Sequence, residues 1–145
     1  MAGETTVLDV AFDNVGAVNF QPYQVCVLDT SNSGVITVGA AAAPTTGHPT
    51  PLGVVYDKAK LDMSGNPVAN SGVMVRVQGV AKVICDGAVS VGARITCSAT
   101  TAGQVTPVTQ AIAGAQPVSV LGIAWKQATA TNDATLVLLT PGATW

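Results

Sequence analysis

The chain has 145 residues, enough for one domain with a real core. Hydrophobic residues make up 48%, charged residues 10% and aromatic residues 4%, which excludes the charge-rich, apolar-poor composition of a disordered chain. The net charge is −2 and the cations Lys58, Lys60, Arg76, Lys82, Arg94 and Lys126 are scattered, which excludes the basic footprint of direct nucleic-acid binding; no apolar run approaches the ~18 residues of a membrane span.

So little charge leaves much small, uncharged surface, and burial of that surface in an oligomer or on a larger body is expected. The N-terminus lacks a basic and then apolar leader pattern, so no secretory signal is predicted. Cys26, Cys85 and Cys97 have no metal-type spacing. They are expected to be buried, reduced thiols in a chain made in a reducing cytosol.

Residues 1–22 are predicted as an extended N-terminal arm. Leu8, Val10 and Phe12 alternate with Asp9 and Ala11, which suits one short strand. Asp13, Asn14 and Gly16 break it, and Val18, Phe20 and Pro22 continue in extended style. Such a segment can pair with the edge of another chain or serve as an ordinary first strand. Residues 23–145 are predicted as a single β domain.

A strand over 23–28 and its return over 35–38 form a hairpin around a Ser/Asn/Gly turn. Residues 39–51 form a loop holding the single histidine, His48, and 52–56 are another strand. Residues 57–71 read as an exposed excursion, with one helical turn expected near 57–63. Residues 73–85 alternate with period two, the mark of a half-buried strand. Gly79 at its middle predicts a bend or bulge. Asp86 and Gly87 supply turn chemistry. Strands are then predicted over 93–98, 104–108, 118–125 and 134–139.

The chain repeats itself. Residues 23–38 lie over 93–108 at an offset of 70, setting Val25 on Ile95 and Val35 on Val105. Leu52-Gly53-Val54-Val55-Tyr56 lies over Leu121-Gly122-Ile123-Ala124-Trp125 at an offset of 69. Each half closes on a Val- or Leu-rich strand. The expectation is an all-β barrel or sandwich of two copies, about 23–79 and 93–139, related by a rough two-fold. Gly53 and Gly122 are expected where a neighbouring strand approaches closely. Tyr56 and Trp125 are expected to close the strand ends with amphipathic rings.

Chemistry is sparse. His48 has no local partner motif for nucleophilic catalysis, and no nucleophile elbow or phosphate loop occurs. The carboxylates occur singly, without calcium or zinc spacing, and sit mostly in turns. No catalytic residue, cofactor or metal is expected.

Residues 73–139 carry a resemblance. They combine a Gly-centred strand around Gly79, the spaced Gly87 and Gly92, and Val120-Leu121-Gly122-Ile123-Ala124 before a final strand. This pattern is similar to the capsid cement, or head decoration, proteins of tailed bacteriophages. The resemblance covers about half the chain, and residues 1–72 depart from the short family members. It implies a small β protein, usually a homotrimer, made in the host cytoplasm. It would bind the outer capsid surface of the virion and bridge subunits of the major capsid protein. Leu8, Val10, Phe12, Val18 and Phe20 are then the candidate contacts to capsid or neighbouring subunit. The alternative is a phage or cell-surface binding module without catalysis, with Tyr56 and Trp125 as its aromatic pair.

Overall fold

The computed structural model describes residues 7–14, 16–28, 36–38, 50–109 and 118–144. Nine strands run through them: β1 (Leu8–Asn14), β2 (Val25–Leu28), β3 (Ile36–Val38), β4 (Pro51–Val55), β5 (Ser71–Ile84), β6 (Arg94–Cys97), β7 (Val105–Pro107), β8 (Ser119–Ala124) and β9 (Ala134–Thr144). They form one nearly closed, barrel-shaped sheet in the order β3-β2-β4-β5-β9-β8-β6-β7, with β1 added on β5. Every ladder between named strands is antiparallel. No helix among the described residues is long and apolar enough to cross a membrane.

The strand order is the repeat made visible. The path β3-β2-β4-β5 is followed by its own reversal, β9-β8-β6-β7, with β5 and β9 paired at the centre. Val54 faces Arg76 and Val55 faces Val75 in the first half. Ile123 faces Leu138 and Ala124 faces Val137 in the second. The hairpins match at an offset of 69, not 70: Cys26 faces Gly53, and Ile95 faces Gly122. The backbone therefore equates Cys26, not Val25, with Ile95. The one-residue error has a physical source. β2 is buried on both faces, Val25 and Val27 in one apolar cluster and Cys26 in another. Without polar–apolar alternation, the residue types cannot say which face is which.

The larger cluster joins both halves and includes Val25, Val54, Val83, Ile95, Leu121 and Val137. The smaller one gathers Phe20, Cys26, Val55, Ala59, Val73 and Val75, with Phe12, Val18 and Leu52 packed against it. β5 serves both. Its odd residues Val73, Val75, Ala81 and Val83 are buried, and Gly79 bends it at φ 102° between the two sets. That conformation is nearly free to glycine and costly to other residues. The halves are tied where Val25 N–H donates to Gly103 O at 2.9 Å and Asp86 N–H donates to Val105 O at 3.0 Å.

The helical turn expected near 57–63 is absent. Lys60 O accepts from Val68 N–H, and Leu61 bridges to Pro67. The Asp62 carboxylate accepts the N–H groups of Ser64 and Asn66, both at 2.8 Å. A side chain that satisfies nearby backbone donors favours a turn over a helix.

All three cysteines are buried free thiols. Burial raises the pKa of Cys26 and Cys97 to about 12 and that of Cys85 to about 11. The thiolate is the reactive species. At neutral pH the native protein is therefore expected to release almost no chromophore from a disulfide reagent, and all three thiols should react in concentrated guanidinium. Rapid titration of a thiol in the native state would show that the core opens.

Candidate functional site

Residues 7–14 and 16–22 are laid along their own chain. β1 pairs with β5 from Leu8 opposite Gln78 to Asn14 opposite Ser71, and β9 takes over from Gly79 to Ile84. The corner after β1 is locked by Asn14, which is fully buried. Its Nδ2 donates to Val18 O at 2.7 Å, and its Oδ1 accepts Val18 N–H at 2.9 Å. Of the candidate contact residues, Leu8 is 46% exposed and Val10 is half-buried. Phe12 and Val18 pack on the smaller cluster, and Phe20 is 0% exposed inside it. Phe20 is thus a core residue, and Leu8 is the member of the set most open to a partner.

A second feature lies where β1, β4, β5 and β9 meet. The even residues of β5 place Arg76, Val80 and Lys82 around a cleft of about 220 Å³, with Val54, Tyr56 and Leu136 opposite. β1 brings Asp9 beside Arg76 in the ladder. The guanidinium forks onto that carboxylate, Nε to Oδ1 at 2.8 Å and Nη2 to Oδ2 at 3.1 Å. Its Nη1 donates to Val80 O at 3.1 Å. The same guanidinium lies 4.6 Å from the centre of the Tyr56 ring. The Lys82 ammonium lies 4.8 Å from the Tyr23 ring centre. Two cations, each over an aromatic face, border an apolar floor.

Hydrogen bonding to Arg76 lowers the Asp9 pKa below its ordinary value. A lowered carboxylate pKa adds stability that is full above the unfolded value of about 4 and is lost as pH falls through the folded value. The pair is partly exposed, so its contribution is at most about 1 kcal/mol. Asp9→Asn is expected to lower the urea midpoint at pH 6, with the gap to wild type narrowing as the pH falls below about 4. A gap that stays constant with pH would show that the ion pair contributes nothing.

Tyr56 and Trp125 occupy equivalent places. Tyr56 N–H donates to Met74 O at 2.9 Å and Trp125 N–H donates to Leu136 O at 2.6 Å, each just past its Leu-Gly strand. They are 52% and 57% exposed. No ring contact joins them; Leu136, 40% exposed, lines the cleft with Tyr56 and is the strand neighbour of Trp125. His48 lies outside the described residues. Among those described, no three His, Cys, Asp or Glu side chains gather as a metal site would require.

The alternation of residues 73–85 already put Arg76 and Lys82 on one face of β5. Their partners were not marked by any local pattern, because Asp9 lies on β1, Tyr23 precedes β2 and Tyr56 follows β4. No protein-family model matches the chain, and no curated protein is significantly similar to it.

Proposed function

We propose that this chain is a structural virion protein. It binds the outer surface of a phage capsid and stabilises the head by bridging neighbouring major capsid subunits, acting as a homo-oligomer with a trimer expected. The observation that carries this reading is where the large rings sit. The chain has only two Trp, two Tyr and two Phe. The core keeps Phe20, while Tyr23, Tyr56 and Trp125 are exposed, together with Ile123 and Leu136. Aromatic side chains and arginine are enriched in protein interfaces, and exposed apolar patches mark contact surfaces. Aliphatic Val, Ile and Leu fill most of the core instead, so Tyr23, Tyr56 and Trp125 keep exposed surface for a partner.

The resemblance to cement proteins falls on residues 73–139, which span β5 to β9. Symmetric copies on a symmetric shell add weak contacts by multivalency, so modest surfaces suffice. The test uses heads of the phage that encodes the chain, assembled without it. Purified protein is expected to co-sediment with these heads at a fixed ratio to the capsid subunit and to raise their disruption temperature. Co-sedimentation no greater than that of an unrelated acidic protein would overturn the reading.

A further inference from the structure

We infer that the cleft bounded by Tyr23, Tyr56, Arg76, Lys82 and Leu136 is an anchor pocket for one acidic side chain of the capsid subunit. This inference rests on the capsid-binding reading above. Size decides the class of occupant. Pockets for drug-sized ligands run from roughly 300 to 1,000 Å³, and about 220 Å³ is smaller than that. It suits a single side chain carried in by a partner protein, with its methylenes on Val54, Val80 and Leu136.

Charge decides the kind of side chain. The Arg76 guanidinium is already neutralised by the two oxygens of Asp9. Lys82 has a ring beneath its ammonium and no carboxylate partner among the described residues, where the ion pair formed is Arg76–Asp9. The pocket is therefore a local positive site on a chain of net charge −2. A carboxylate fits that field, and a lysine or arginine is repelled by it.

The backbone points the same way. Tyr23 adopts φ 72°, a left-handed conformation unusual for a tyrosine. Its N–H donates to Val55 O at 2.8 Å, and its O accepts Ile84 N–H at 3.2 Å. These bonds hold the residue so that its ring lies under Lys82. Non-glycine residues held in this region tend to cluster at ligand clamps and active sites.

Two measurements of binding to phage heads test the inference. The first compares the affinity of wild type, Lys82→Arg and Lys82→Glu for undecorated heads, with urea midpoints confirming that each variant folds. Lys82→Glu is expected to bind at least about tenfold more weakly, because a charge contact is reversed, and Lys82→Arg should stay close to wild type. The second is zero-length carbodiimide coupling, which joins an amine to a carboxylate it touches. Mass spectrometry is expected to find Lys82 joined to an Asp or Glu of the capsid subunit. If wild type binds heads but Lys82→Glu binds equally well, or coupling runs only through Lys58, Lys60 or Lys126, the anchor pocket is wrong and the capsid role survives. If wild type does not bind, the capsid role fails and the pocket's assigned partner fails with it.

Discussion

Alanine at Gly53 or at Gly122 is expected to lower stability by about 3 kcal/mol, the upper part of the range for overpacking a filled site. A Cβ at Gly53 would run into the carbonyl oxygen of Arg76 and sit 2.8 Å from Val75 Cγ1. A Cβ at Gly122 would run into the carbonyl oxygen of Leu138 and sit 2.7 Å from Val137 Cγ1. Neither glycine has a positive φ, so the requirement is for space, not for an unusual conformation. The obstacle in each case is the backbone of the next strand, which cannot rotate away as a flexible side chain can. It can yield only by opening the β4–β5 or the β8–β9 ladder.

The two sites form a matched experiment. Gly53 meets Arg76 and Val75, and Gly122 meets their counterparts Leu138 and Val137. The two losses should therefore agree to within about 1 kcal/mol, given the ordinary dependence of such changes on context. Gly72 and Gly87 have nothing within 4 Å of an added Cβ, so alanine there should change stability by less than about 1 kcal/mol. Urea unfolding of the four variants measures this directly. A loss below about 1 kcal/mol at Gly53 or Gly122 would mean that the strands are not packed as closely as described.

The same glycines show what kind of information the sequence carries. A Leu-Gly pair within each of two short apolar strands, β4 and β8, announces a close approach twice, and repetition makes a weak local signal readable. The period of residues 73–85 was equally plain, because Val73, Val75, Ala81 and Val83 face inward while Arg76, Gln78 and Lys82 do not. The barrel and its internal two-fold follow from such patterns. The cleft was not readable in the same way. The Arg76–Asp9 contact joins residues 67 apart, and a lone Asp in an alternating arm resembles any solvent-facing strand residue. Tyr23, whose ring meets Lys82, sits in a left-handed backbone conformation that no neighbouring glycine announces. Long-range pairing and unusual backbone are set by tertiary context, which a local pattern does not encode.

Phe20→Ala is expected to be the most damaging single truncation in the N-terminal segment, at about 3–5 kcal/mol. Phe20 is fully buried against Cys26, Val55, Val73 and Val75. Its N–H donates to Val18 O at 2.9 Å and its O accepts Ala59 N–H at 3.0 Å, so its backbone is held on both sides. Val18→Ala and Phe12→Ala remove half-buried groups from the margin of the same cluster and should cost less. Leu8→Ala removes a side chain that is 46% exposed and should cost under about 1 kcal/mol. This gradient separates folding from attachment. Deleting residues 1–20 would remove Phe20 with the arm, opening the cluster and the β5 edge together, so lost head binding would not identify a contact. Leu8→Ala leaves the core intact. If Leu8 touches the shell, that variant should unfold like wild type yet bind heads more weakly. If it binds heads as wild type does, β1 serves its own barrel and the shell is held elsewhere. A cost for Phe20→Ala no larger than that for Leu8→Ala would show that the N-terminal segment does not pack on the barrel in solution.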